Sequence, residues 1–521
     1  MTPFSTRTMN LGHIVQQQAR RNAARPAFVW GDRVWTWADL NDRVAAMAAV
    51  LADHGIGKGD RVLVQSQNCN QLFESMFACF RLGAVWVPAN FRGAPDDLAW
   101  MAELSGAKLL ICNAAFPEHA KINALALSTR IAIGPADFGP DIDELMQKAG
   151  PPPPLAAVDR DDPAWFFFTS GTTGRPKASV LTHGQLGFVI NNHLCDLVPG
   201  LGPDDASLVV APLSHGAGMH QLMASAKGAP TILTTAAKFD TAEIWGLVER
   251  WKVTNIFTVP TILKMLVEAP EVAQTDHSSL RYIIYAGAPM YRTDQVRALE
   301  TLGPVLVQYF GLGEVTGAIT VLPPDAHSAL DDSRAGTCGI PRTGMQVEIQ
   351  DDTGAEVATG ETGEICVLGP AVFAGYWDNP EANAKTFRDG WFRTGDLGHM
   401  DADGFVYITG RQSDMFISGG SNIYPREIEE KILTHPAITE TAVFGMPDPK
   451  WGEVGVAVSV LKPGHAVDGA ALSAFLREKM AGYKVPRAFH FWDELPKSGY
   501  GKLAKRLIRD ELEKRQSKGT P

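Results

Sequence analysis

Between the apolar run Trp165 to Phe168 and the segment Ala178 to Leu181 the chain carries Thr169-Ser-Gly-Thr-Thr-Gly174, with Lys177 close behind. Two strand-like segments joined by Gly, Ser and Thr make a hairpin loop rich in backbone N–H and hydroxyl donors. Such a loop wraps phosphate oxygens, and Lys177 adds a positive charge at its foot. A plain surface turn would use the same small residues but has no need of the lysine. A P-loop NTPase requires Gly-Lys-Ser/Thr opening a helix, whereas here Pro176 precedes the lysine and Ala178-Ser-Val follows, so that pattern does not fit.

The elements that must hold this loop follow from the rest of the chain. Its 521 residues, 45% of them apolar, are enough for two or more cores. A net charge of -11 argues against nucleic acid or an anionic membrane as the main partner, since both need a basic face. Any polyanionic ligand must therefore be met locally. Cys69, Cys79, Cys112, Cys195, Cys338 and Cys366 show no CxxC or CxxH spacing, which gives neither a zinc site nor a disulfide framework. The N-terminal stretch has no apolar h-region, and nowhere do ~18 apolar residues run together. The expectation is a cytoplasmic protein with free, mostly buried thiols and no membrane span.

From Phe28 to Leu109 helical and strand patterns alternate: WTWADLNDRVAAMAAVLADHGI, DRVLVQS, LFESMFACFRLG, AVWVPAN. That rhythm implies a doubly wound parallel sheet. After the Pro151 to Pro154 run it resumes with strands in SLVVAPL, PTILTT, TNIFTVP and RYIIYAG. Beyond about Val321 period-2 patches broken by Asp-Asp-Thr-Gly and Thr-Gly-Glu read as a small barrel-like unit. From GRQSDMFISGG onward a helix opening at Pro425, strands in TAVFGMP and VGVAVSVLK, and helices in ALSAFLREKM and LAKRLIRDELEKR form an α+β unit. The expected fold is α/β: a large N-terminal domain of doubly wound sheets plus a small distorted barrel (1–411), then a small mobile α+β domain (412–521).

SGTTGRPKASVLTH resembles the phosphate loop of the acyl-adenylate-forming superfamily, the acyl-CoA synthetases, luciferases and peptide-synthetase adenylation domains. YAGAPM, QYFGLGE, WFRTGDLG, GRQSDMFISGGSNIYPREIE and PKSGYGKLAKR extend the likeness, in order, over essentially the whole chain. The resemblance implies attack of a carboxylate on the α-phosphorus of ATP, then transfer of the acyl group to the thiol of coenzyme A. Carboxylate and triphosphate repel each other, so cations and oriented donors must meet at the phosphorus.

The resemblance assigns the roles. Thr169, Ser170, Gly171, Thr172, Thr173, Gly174 and Lys177 would hold the β- and γ-phosphates. Glu314 would be linked to Mg²⁺, which takes oxygen ligands and bridges phosphates. Phe310 would stack on adenine, with Gly287, Ala288 and Pro289 on the base's other side and Gln308, Tyr309 and Gly311 nearby. Asp396 would bind the ribose hydroxyls, with Arg411 close to ribose and phosphates; an Asp capping its own turn and an Arg in an interdomain ion pair are the plainer readings. Lys502, on a glycine-flanked loop, would swing over the α-phosphate for the first step. A hinge at Ser413 would then rotate the C-terminal domain and bring Ser418, Gly419 and Gly420 to the pantetheine arm.

His215 would lie at the mouth of an acyl pocket that also includes Gly216, Gly311 and Gly313. Relatives usually carry Thr where this chain has Gly313, so a hydroxyl is missing there, to be replaced by water or backbone unless the room serves the acyl group. The pocket segments (188–193, 215–219, 260–263, 286–288 and 311–317) are apolar or small, with no evident Arg or Lys for a second carboxylate. A medium-chain or branched aliphatic acid and an aryl acid both remain open. So do two other readings: an adenylating enzyme that loads a separate carrier protein, and a non-catalytic nucleotide or acyl-CoA binding protein. The resemblance allows a homodimer.

Overall fold

The computed structural model describes residues 5–169, 175–236, 238–288, 290–418, 421–497 and 503–518. Its chain divides into two units, Met1–Val347 with Val367–Phe392, and Glu348–Cys366 with Arg393–Pro521.

The first unit is built on two sheets. One has six strands in the order Thr129–Ile133, Leu109–Asn113, Arg61–Gln65, Val85–Pro88, Pro163–Thr169, Lys177–Thr182. The first five are parallel and the last turns back antiparallel. Their sequences are near-continuous apolar runs (LLICN, VWVP, AWFFF), as strands covered on both faces must be. In the other sheet Pro26–Trp30, Thr231–Leu233, Ser207–Val209, Asn255–Thr258, Tyr282–Tyr285 and Leu306–Phe310 run parallel, and Arg33–Thr36 and Thr320–Leu322 flank them antiparallel. The helix Asn70–Leu82 is buried along its whole length. It lies between the sheets: Phe73 sits 4.9 Å from the ring of Phe28 in one, and Ser75 accepts a hydrogen bond from the Trp86 indole of the other.

One boundary differs from the sequence reading because of a cap, and a second cap sets a helix that the reading did not place. The expected helix at WTWADL starts only at Trp37, since Thr36 accepts from the Asp39 N–H while Asp39 accepts from that of Thr36. The glycine-loop hairpin is followed at once by the helix His183–Asp196, set by the same device between Thr182 and Gln185. Thr-His-Gly-Gln spells that cap in the sequence.

In the second unit Ile438–Asp448 and Gly452–Leu461 form a long antiparallel pair, joined in parallel by Ala488–Trp492. The pleat puts Val443 and Ala457 on one face, with Ile428 and Ile432 of helix Pro425–Leu433 and Leu472 and Leu476 of helix Gly469–Arg477. Phe444 and Val456 face the other way, against Ile508 and Leu512 of helix Lys505–Lys518. Among the described residues no helix is long and apolar enough to cross a membrane.

Candidate active site

Thr169 ends one arm of the hairpin and stands opposite Lys177, the first residue of the other. The donors expected between them, Ser170 to Gly174, lie outside the described residues. Thr169 Oγ1 donates to Glu314 Oε1 at 3.0 Å, and Tyr376 Oη donates to the same oxygen at 2.9 Å. Glu314 sits in a short 3-10 turn and is buried, so two donors fix its carboxylate. Lys177 Nζ lies 4.1 Å from the centre of the Tyr376 ring. Partial burial draws the Lys177 pKa below its usual value, and Glu314 opposes that shift.

Tyr376 was not among the residues singled out from the sequence. It is placed by backbone pairing: Trp377 N–H donates to Ala178 O at 2.8 Å, Val180 N–H to Gly375 O at 3.0 Å, and Ala374 N–H to Val180 O at 3.1 Å. The segment 374–377 is thus laid along the outer edge of the strand that carries Lys177.

Gly313 leaves no free room. A Cβ there would stand 2.5 Å from Cε1 of Phe167 and 3.1 Å from Cγ2 of Thr169. The Phe167 ring occupies the place that the missing threonine would need. The same ring also lies against His215, with ring centroids 4.5 Å apart. His215 precedes the helix Gly216–Lys227.

Deeper in, Gly216 lies under Phe257, whose ring a Cβ would approach to 3.0 Å. His220 stacks on Phe257 at 4.2 Å with a 16° tilt, and Tyr309 lies nearly parallel to Phe257 at 6.1 Å. Gly311 packs on the backbone of Gly317, which itself lies under the Tyr309 ring. The pleat of Leu306–Phe310 therefore splits residues that the sequence reading grouped at the nucleotide. Tyr309 turns its ring to this aromatic wall, while Gln308 and Phe310 point to the other face and are half-buried. Gln308 Oε1 accepts from Tyr285 Oη at 3.0 Å. Gly287 and Ala288 follow the adjacent parallel strand Tyr282–Tyr285, Gly287 with φ +82°. Clefts at the carboxyl ends of parallel strands are where α/β sheets bind ligands.

In the second unit Asp396 is buried; its Oδ1 accepts from Arg411 Nε at 3.1 Å. Oδ2 is enclosed and has no hydrogen-bond partner among the described residues. Burial pushes the carboxyl pKa up, and Arg411 only partly offsets this. Ser413 is exposed and bonds to Asp414, and Ser418 pairs with Ser421 and Gly452. Pro289, Gly419, Gly420 and Lys502 lie outside the described residues.

Loop arms, lysine and oriented glutamate come together at the end of a largely parallel sheet, an arrangement suited to a nucleoside triphosphate. The chain belongs to the AMP-binding enzyme family, the acyl-CoA synthetases and ligases that activate an acid as its adenylate: residues 15–377 match the AMP-binding enzyme model and 427–502 its C-terminal domain. It is 39% identical over 505 residues to a feruloyl-CoA synthase of Amycolatopsis sp, covering 96% of this chain and 99% of the relative. An indoleacetate–CoA ligase of Aromatoleum aromaticum is 33% identical over 506 residues, covering 96% and 98%. Among solved structures, the o-succinylbenzoate CoA synthetase of Bacillus subtilis with its acyl-adenylate intermediate superposes with a TM-score of 0.84 at 31% identity, covering 98% of each chain.

Proposed function

We propose that this ATP- and CoA-using ligase takes an aryl acid. The observation that carries this is the wall formed by His220, Phe257 and Tyr309, three rings within about a 31° fan beside Gly216. Flat rings with glycines between them favour a planar acyl group over a coiled aliphatic chain. Feruloyl, indoleacetyl and succinylbenzoyl groups, named for three relatives, all contain an aromatic ring.

In the first step Ser170 to Gly174 and Lys177 hold the β- and γ-phosphates. Glu314 is held through Oε1, which leaves Oε2 as a hard oxygen donor; this fits Mg²⁺, which is shared with phosphates and rarely caged by protein alone. When bound, the ion would offset phosphate charge. Asp396 Oδ2 suits a ribose hydroxyl, since an enclosed carboxylate oxygen needs a donor. Lys502 neutralises charge developing at the α-phosphorus. In the second step the region beyond residue 411 pivots at Ser413, and Ser418 to Gly420 guide the thiol. Five of the six cysteines are buried and none is joined in a disulfide, which fits a cytoplasmic setting.

The test is pyrophosphate release with ATP and Mg²⁺ across aliphatic, aryl and arylpropenoic acids, each with and without CoA. Aryl-acid-dependent release that rises with CoA and yields a thioester is expected. Turnover confined to aliphatic acids would overturn the aryl assignment, and release indifferent to CoA would point to a carrier protein as acceptor.

A further inference from the structure

The aromatic wall ends in a buried polar array. His193, His220 and Arg342 are each 1% exposed and Tyr309 8%. Arg342 follows the strand Thr337–Pro341, outside every segment assigned to the pocket from sequence. Its guanidinium donates from Nε to Asp196 Oδ2, from Nη1 to Gly317 O and from Nη2 to His193 Nδ1, each at 3.3 Å. An arginine only donates, so His193 Nδ1 must present its lone pair and the ring proton must sit on Nε2. Burial and the Arg342 charge both hold His193 well below its usual pKa, so the ring is neutral. That Nε2–H is enclosed and finds no acceptor among the described residues. His220, 5.0 Å away ring to ring, has Nε2 3.5 Å from Tyr309 Oη and an equally enclosed Nδ1 that has no partner among the described residues.

Two orphaned ring nitrogens on histidines whose rings lie 5.0 Å apart are costly to leave unpaired and await a polar group. The charge of Arg342 is matched by Asp196 and each of its nitrogens already donates, so a second carboxylate would gain little here. A neutral oxygen fits better. A phenolic hydroxyl accepts from His193 Nε2–H and donates to a His220 nitrogen that carries a lone pair.

Building on the aryl-acid reading, we propose that His193 and His220, positioned by Arg342 and the Phe257 stack, select a phenolic hydroxyl at the far end of the acid.

The measurement is kcat/KM for thioester formation with phenylpropenoic acid and its 4-hydroxy and 4-carboxy analogues. The native enzyme should prefer the 4-hydroxy acid to the unsubstituted one by about tenfold or more and should discriminate against the 4-carboxy acid. His193→Leu should collapse the hydroxy preference to near unity. His193→Gln, whose amide can both accept from Arg342 and donate onward, should retain most of it. His220→Phe keeps the stack on Phe257 without the nitrogens and serves as an independent second variant. A merely structural role would lower all three acids together and leave their ratios intact; unchanged ratios in both His193→Leu and His220→Phe would overturn the proposal. Aryl acids used without regard to the hydroxyl would sink this inference alone, whereas no turnover of any aryl acid would sink the aryl reading with it.

Discussion

Phe167 and Gly313 compete for one volume: a side chain at 313 would place its first carbon 2.5 Å from the Phe167 ring. Gly313→Thr should therefore overpack the site and cost about 1–3 kcal/mol. With Phe167→Leu beneath it the same threonine should cost far less, so the two changes will be strongly non-additive. Urea unfolding of the four members of the cycle measures this. Equal costs of Gly313→Thr in both backgrounds would show that the ring is not what excludes the threonine.

Tyr376 and Thr169 together aim the Glu314 carboxylate. Tyr376→Phe keeps the ring under Lys177 but removes one donor; with Glu314 in its proposed Mg²⁺-binding role, kcat/KM for ATP in pyrophosphate release should fall about 10- to 100-fold, the usual effect of losing a group that orients an ion ligand. Glu314→Gln keeps an acceptor for both donors and loses only the charge. It should fold normally and lose more, about 100-fold or beyond. Raising Mg²⁺ should partly rescue Tyr376→Phe and leave Glu314→Gln low.

Asp396 gives a pH signature. Burial raises its pKa in the folded chain, so its contribution to stability is complete below the unfolded value of about 3.9 and is lost as pH rises through the folded value. Arg411 has about half its side chain exposed (52%), so its pairing restores little. Asp396→Asn should therefore melt higher than the native enzyme at neutral pH, with the advantage vanishing near pH 4, while ATP-dependent adenylation drops. A native enzyme as stable as the variant at pH 7 would contradict this.

Buried histidines set the opposite slope on the acid side. Burial holds His183 and His327 at about 4 and His220 at about 3. Neutral when folded, they charge when unfolded, so the stability they confer is intact above about pH 6.5 and is lost as pH falls, by about 1.4 kcal/mol per pH unit for each. Denaturation midpoints at pH 7, 6 and 5 should fall with increasing steepness. His220→Phe should flatten that slope, and a slope unchanged by it would refute the assignment.

What the sequence disclosed were the groups that sit within short motifs. Lys177 and Glu314 were read from strings in which a few neighbours state the chemistry, and Thr169, Lys177 and Glu314 do lie together. Tyr376 and Arg342 were not, because each reaches its partner only through the fold: Tyr376 is 62 residues from Glu314, and Arg342 is 149 from His193. Arg342 lies outside the segments read as apolar or small, and its pairing with Asp196 leaves the argument against diacids standing. Tyr309 could have been separated from Gln308 and Phe310 by the two-residue period of a strand. Gly313 was legible as a lost hydroxyl, but that Phe167 fills the gap was not, since a run of four aromatics reads simply as core.

The pairing of 374–377 along Lys177–Thr182 bears on how the chain is made. A strand with one bare side is a template for association with other chains, and here that side is covered by a segment synthesised roughly two hundred residues later. At the ribosome's ~5–20 residues per second, the edge stays open for ~10–40 s in every nascent copy. Crowded translation should therefore be the hazardous moment in this enzyme's life, and substitutions at Gly375 or Trp377 should reduce soluble yield well before they alter the finished catalyst.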